Sequence, residues 1–147
     1  MREEDKPLNE IYFFWMDRAM KAQRKATARL FKDLGFNLTP DQWIILKSLD
    51  ENADQTQRQL AEAVSKDPAS ITRTLDLLEK EKLIQRKVVD RRTFTVLLTK
   101  KGKDLVDQII PEAVKYRLKG IEGISDQEMK VFKKVLETIY DNFTQAD

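Results

Sequence analysis

The spacing of apolar and polar positions changes several times along this chain. Residues 8–34 begin with the block "IYFFWM" at 11–16 and thin to Ala19, Ala22, Ala26, Leu30 and Leu34, with Arg18, Lys21, Arg24, Lys25 and Arg29 on the polar side. Six consecutive large apolar residues, at ~100° per residue, go all the way round a helix, so one buried face cannot absorb them. Two readings follow: a deeply buried helix or strand, or a helix shared between this chain's core and a partner subunit. The alanine-rich, basic continuation favours a helix.

Three helix starts follow with nearly one grammar. "TPDQW" places Thr39 as N-cap, Pro40 at the first helical position and Gln42 within reach of the cap, a capping-box arrangement. "TQRQL" repeats the box with Thr56 and Gln59, and "DPASI" opens with Asp67 as cap and Pro68 in the first turn. These predict helices near 40–51, 57–64 and 68–81. The last two are joined by only "SKD", and each carries one stripe: Leu60, Ala61 and Val64, then Ile71, Leu75 and Leu78. Taken alone, that pair is either a helix-turn-helix or an ordinary helical hairpin.

The period then switches. "LIQRKVV" (83–89) and "TFTVLLT" (93–99) are rich in β-branched and aromatic residues and are separated by "DRR", which predicts a two-stranded hairpin. A helix-turn-helix followed directly by a basic-tipped hairpin is a winged helix. Thr99 can cap a further helix through Leu105, Ile109 and Val114, which Pro111 is expected to kink or interrupt. "SDQE" forms another box with Ser125 and Glu128, followed at helical spacing by Phe132, Val135, Leu136, Ile139 and Phe143. Both terminal regions carry more apolar surface than one compact middle domain needs, and dimerisation through the paired ends is the economical explanation.

Charge changes the picture because it is local. The net charge is only +2, yet residues 82–103 carry eight basic side chains and one acidic. On the 68–81 helix, Ile71, Leu75 and Leu78 define the buried side, leaving Ala69, Arg73 and Asp76 outward with Ser70 and Thr72 flanking them. Small residues let a helix enter a major groove, Ser and Thr bond phosphates or bases, and Arg makes the bidentate contact to guanine. At the hairpin tip, Arg91 or Arg92 can reach a narrow minor groove, or Asp90 can hold one of them inward as an ion pair. Lys87, Lys100, Lys101 and Lys103 are expected near backbone phosphates.

Composition removes other classes. Cysteine and histidine are absent, which excludes thiol redox sensing, disulfides and thiolate or imidazole metal ligands. Asp and Glu sit at surface-helix spacings without a glycine-rich phosphate loop, so no catalytic residue, metal or cofactor is expected. No apolar run approaches the roughly 20 residues that span a bilayer, and "MREEDKPLNE" lacks an apolar signal core, so a cytoplasmic protein with no membrane partner is expected.

The sequence resembles the MarR family of bacterial winged-helix transcription regulators. The resemblance rests on "LTPDQWIILKSL", "TQRQLAEAVSKDPASITRTLDLLEKEKLIQRK" and "DRRTFTVLLTKKGKDL", in family order. It implies an obligate homodimer built from N- and C-terminal helices. Recognition helices would lie in successive major grooves of a pseudo-palindromic operator, with wings in the flanking minor grooves, and the usual outcome is repression. By position, Ser70, Thr72 and Arg73 fall on the recognition helix and Arg91 and Arg92 on the wing's DRR. One departure is that three residues separate Arg86 from Asp90, where family wings commonly have a couple more. Family members often release DNA when a small aromatic or phenolic compound, a metal or an oxidant acts on them. Without cysteine or histidine, an organic effector is the remaining option, with Tyr12, Trp15, Met16 and Trp43 as candidate cavity lining or simply as core and interface.

The expected fold is therefore mainly α with a small β-hairpin wing, a single domain over 1–147. A winged helix-turn-helix core at about 39–101 would be flanked by dimerisation helices at about 8–34 and 102–147. The expected function is a homodimeric, sequence-specific DNA-binding regulator, a repressor released by a small organic effector. The alternatives are a winged-helix module that binds another protein, and a DNA-binding regulator with no effector.

Overall fold

The computed structural model describes residues 5–145. After a single 3-10 turn at Leu8–Glu10, the elements run α1 (Tyr12–Asp33), α2 (Pro40–Glu51), β1 (Gln55–Thr56), α3 (Gln57–Ala63), α4 (Pro68–Lys80), β2 (Ile84–Val88), β3 (Phe94–Leu98), α5 (Lys100–Gly120) and α6 (Asp126–Thr144). The chain forms two compact units, one ending at Glu112 and the other beginning at Ala113.

The capping grammar explains where the helices of the first unit start. Thr39 and Gln42 bond each other's backbone reciprocally, as do Thr56 and Gln59, and the Asp67 carboxylate accepts from the Ser70 amide. Each box satisfies two of the four N–H groups that a helix start leaves without partners. The expected stripes face one core: Leu46, Leu60, Ile71, Leu75 and Leu78 are buried together with Phe31, Ile84, Val96, Val106 and Ile109. Thr99 caps α5 as expected, its Oγ1 accepting from the Gly102 amide.

Three details depart from the sequence reading. The helix expected from residue 8 is broken at Ile11, which is extended, so α1 proper starts at Tyr12. Pro111 does not interrupt α5, because the missing N–H removes a single bond of the helical ladder and the turns on both sides continue. The hairpin gains a third strand, in the antiparallel order β1-β3-β2, with Gln55 opposite Val96 and Thr56 opposite Thr95. Two residues carry no readable alternation. Gln55 is nevertheless buried, its amide donating to the Ser48 and Asn52 carbonyls at the end of α2.

The N-terminal aromatic block is not consumed by the core of its own unit. None of residues 11–16 is buried; Tyr12 is 77% exposed and Trp15 48%.

The second unit holds the last turns of α5 and the whole of α6. Ser125 and Glu128 complete their capping box. The predicted stripe forms, but no α6 residue is buried: Leu136 and Ile139 are half-covered, while Phe132, Val135 and Phe143 are exposed. Among the described residues no helix is long and apolar enough to cross a membrane.

Candidate nucleic-acid interface

α4 supplies the first part of the site. With Ile71, Leu75 and Leu78 inward, Ala69, Thr72, Arg73 and Asp76 are exposed and Ser70 is half-exposed, as the wheel requires. The start of the helix is tightly bonded. Asp67 accepts from the Ser70 amide at 3.0 Å and from its hydroxyl at 2.8 Å. The amide and hydroxyl of Ser70 hold the Asp67 carboxyl below the ordinary carboxylate range. Thr72 donates to the Pro68 carbonyl at 3.0 Å and accepts from the side-chain amide of Gln57, the first residue of α3. The Arg73 guanidinium lies 3.4 Å from Ser70 Oγ, a weak contact that leaves it available to a ligand.

The wing supplies the second part. Between Val88 and Phe94 the chain turns back over residues 89–93, and the turn is organised by Asp90. Its Oδ1 accepts from the amides of Arg92 and Thr93, each at 2.9 Å. These amides, that of Arg92 first, keep the Asp90 carboxyl below its usual range. The carboxylate is thus used on the backbone. No ion pair joins it to Arg91 or Arg92 among the described residues, and both arginines are exposed at the tip. Lys87 is exposed on β2, across the ladder from Thr95.

The lysines after the wing divide. Lys101 Nζ donates to the carbonyl of Glu81, the residue that closes α4, at 2.9 Å. Lys103 is tied to Asp50 on α2 at 2.6 Å and to Asp107 at 3.1 Å, and the Asp50 bond raises its pKa. A lysine paired to two carboxylates adds little net positive charge for a phosphate, so Lys103 is a brace between α2 and α5 rather than part of the basic face expected of it.

The sequence reading missed the joint between the two parts. Arg86 on β2 reaches back to α4, with Nη1 2.8 Å from Glu79 and Nη2 2.8 Å from Asp76. Its guanidinium also lies over the Phe94 ring, 5.4 Å from the centroid, and its Nε is buried without a partner among the described residues. With only 20% of its side chain exposed, Arg86 ties the wing to α4 and neutralises two of that helix's carboxylates. The signal was present: strand alternation puts Arg86 on the same side as buried Ile84, and Asp76 and Glu79 lie three apart on α4. A second joint was also missed. Asp41 at the start of α2 pairs with Arg24 of α1 at 2.6 Å and with Lys66 in the α3–α4 turn at 3.0 Å.

The candidate effector residues do not come together within one chain. Tyr12, Trp15 and Met16 lie at the start of α1, where the Trp15 indole donates to the Asn9 carbonyl at 2.7 Å and Arg18 sits 5.2 Å from its ring. Trp43 instead packs edge-on against Phe31, at 6.3 Å between centroids. Met16 and Phe31 are separated by about 22 Å along the helix, at ~1.5 Å per residue.

Comparison with known proteins fits this geometry. Residues 38–94 match the model of the MarR family, a span that covers α2 through the start of β3. A probable transcriptional regulator from Pseudomonas aeruginosa is 27% identical, with 90% of this chain and 99% of that one covered and a TM-score of 0.77. A MarR/EmrR family transcriptional regulator from Acinetobacter sp. ADP1 has a TM-score of 0.87 at 18% identity, covering 95% of this chain and 99% of that one. Bordetella bronchiseptica BpsR, whose DNA binding is regulated by 6-hydroxynicotinic acid, has a TM-score of 0.80 at 21% identity, covering 94% and 99%. The family match thus lies on the winged-helix core of this chain, and the fold as a whole is shared with solved transcriptional regulators of the MarR family.

Proposed function

We propose that the protein is a cytoplasmic, homodimeric, sequence-specific DNA-binding regulator that represses its target genes. The observation that carries this reading is one continuous arrangement. α4 exposes small and hydroxyl-bearing residues with Arg73, and a basic wing is clamped to that helix by Arg86. Ser70, Thr72 and Arg73 are assigned to the major groove of double-stranded DNA, Arg91 and Arg92 to the minor groove, and Lys87 and Lys101 to phosphates. The open apolar faces of α1 and, separately, of α6 support dimerisation, which would pair two recognition helices on a pseudo-palindromic operator.

The proposed release signal is a small aromatic or phenolic compound, the chemical class to which the 6-hydroxynicotinic acid acting on BpsR belongs. The exposed rings of Tyr12 and Trp15, with Met16 beside them, are the surface on which such a ring would stack. Exposed Leu77, Val88 and Val89 favour the alternative, a winged helix that engages a protein.

One titration separates these readings. Fluorescence anisotropy is measured on promoter fragments of the source genome and on random duplex across a salt series. A saturable preference for a few fragments with a steep salt slope is the expected result. Weak binding without preference would overturn the DNA reading and favour a protein partner.

A further inference from the structure

A threonine hydroxyl has one proton to donate and two lone pairs with which to accept. At Thr72 the proton goes to the Pro68 carbonyl, one lone pair is taken by the Gln57 amide, and the residue is exposed on the outward face of α4. What remains toward a ligand is a single acceptor. Ser70, two residues earlier and on the other flank of that face, is in the same condition, since its hydroxyl proton is held by Asp67 at 2.8 Å. Phosphate oxygens are acceptors only, so a hydroxyl whose proton is already bonded has nothing to offer them. In the major groove the complementary groups are the exocyclic amines, N6 of adenine and N4 of cytosine.

We infer that Gln57 is a specificity-positioning residue, which fixes Thr72 as a hydrogen-bond acceptor for the amino group of an adenine or cytosine in the major groove. This rests on the DNA-binding reading and adds a direction to it. Every base pair carries one such amine in its major groove, on one strand. Thr72 therefore reads which strand bears the amine, separating A·T from T·A and C·G from G·C at one position of each half-site. Arg73 remains the donor of the recognition helix, so acceptor and donor readout are divided between neighbouring residues. The sequence alone allowed Ser and Thr to serve phosphates or bases; the hydrogen-bond inventory selects the bases.

The test begins with a site selected by the full-length protein from a randomised duplex pool. Anisotropy is then measured for wild type, Thr72→Val, Thr72→Ser and Gln57→Leu on every single-base-pair variant of that site. The wild type is expected to prefer one strand orientation of the amine at one position by roughly five- to tenfold, the worth of one net hydrogen bond. Thr72→Val should erase that preference while leaving the others intact, Thr72→Ser should keep it, and Gln57→Leu should weaken it without touching the Thr72 side chain. Replacing the selected base by its analogue without the amine, purine for adenine or 2-pyrimidinone for cytosine, should cost the wild type the same factor and Thr72→Val nothing further.

A Thr72→Val loss spread equally over all duplexes would mean a phosphate contact and would overturn the inference. So would an unchanged preference in Gln57→Leu, or indifference of the wild type to the analogue. A wild type that selects no site at all would instead remove the DNA-binding reading on which the inference stands.

Discussion

Gly102 lies in the first turn of α5, where the helix passes directly over the chain leaving α4. A Cβ added there would sit 2.1 Å from the Leu83 carbonyl oxygen and 3.0 Å from its carbon. An ordinary carbon contact is about 3.5 Å, so the backbone must retreat by more than ~1 Å. The Leu83 carbonyl accepts from the Thr99 amide at 3.1 Å, and Thr99 in turn caps Gly102 and donates to the Lys82 carbonyl at 2.7 Å. Overpacking of this kind costs about 1–3 kcal/mol, and weakening one or two of these bonds adds about 1 kcal/mol. Alanine's better helix propensity returns about 1 kcal/mol. Gly102→Ala is therefore expected to destabilise by about 1–3 kcal/mol. In urea unfolding followed by far-UV circular dichroism at fixed protein concentration, that is a midpoint lower by roughly 1 M. Gly120→Ala, at the other end of the same helix with nothing within 4 Å of the new methyl, is the control and should be neutral or slightly stabilising. A midpoint for Gly102→Ala that is unchanged or higher would refute the close approach, since propensity alone predicts that sign.

The other expectations follow from the same contacts. Arg73→Ala should cost preferred sites ~1–3 kcal/mol and random duplex much less, whereas Lys101→Ala should lower both alike and reduce the salt slope by about one; anisotropy reporting equal losses on both duplexes for Arg73→Ala would remove it from the base readers. Arg86→Gln should weaken binding to every duplex, because the wing loses its anchor and Asp76 and Glu79 lose their counter-charge; unaltered affinity at low salt would show the clamp to be dispensable. At Asp41 burial opposes ionisation, but bonds from Arg24 and Lys66 outweigh it and lower the pKa. Its contribution is present above the ordinary value of 3.8 and is lost as pH falls through the lower folded value. Because the pair is partly exposed, Asp41→Asn should flatten that acid limb by no more than about 1 kcal/mol in pH-dependent unfolding. Sedimentation at working concentrations should show no compact species of one-chain mass; finding one would count against a partner for the aromatic start of α1.

What the sequence made legible was local chemistry. Thr39, Thr56, Asp67 and Ser125 mark helix starts because a cap and its partner lie within three residues of each other, and every one of them caps in the folded chain. The outward set on α4 was legible because Ile71, Leu75 and Leu78 fix the buried side. Features made by long-range pairing were hidden. β1 is strand only because β3 lies beside it, and Gln57 matters only because Thr72 comes within reach across the turn. Lys101 and Lys103 look alike in sequence, and the fold tells them apart by bringing the Glu81 carbonyl to one and Asp50 to the other. The Asp90 turn illustrates the middle case: the residue stood out, but whether it served an arginine or the backbone depended on the geometry of the tip.

With β3 in the middle of the sheet, β2 is its outer border, and one row of β2 backbone groups faces no neighbouring strand. Such a border is a template on which a second chain can lay a strand of its own. Here the border is five residues long, and "VV" at 88–89 would suit that misuse well. Lys87 and the arginines at the tip stand on either side of the two valines. Two wings brought edge to edge would set like charges against each other before their backbones could bond. Charged side chains flanking an edge strand in this way are the usual means by which a sheet discourages pairing with a second copy. If these positions also grip DNA as proposed, a change that tunes the grip would alter the repulsion between free wings as well.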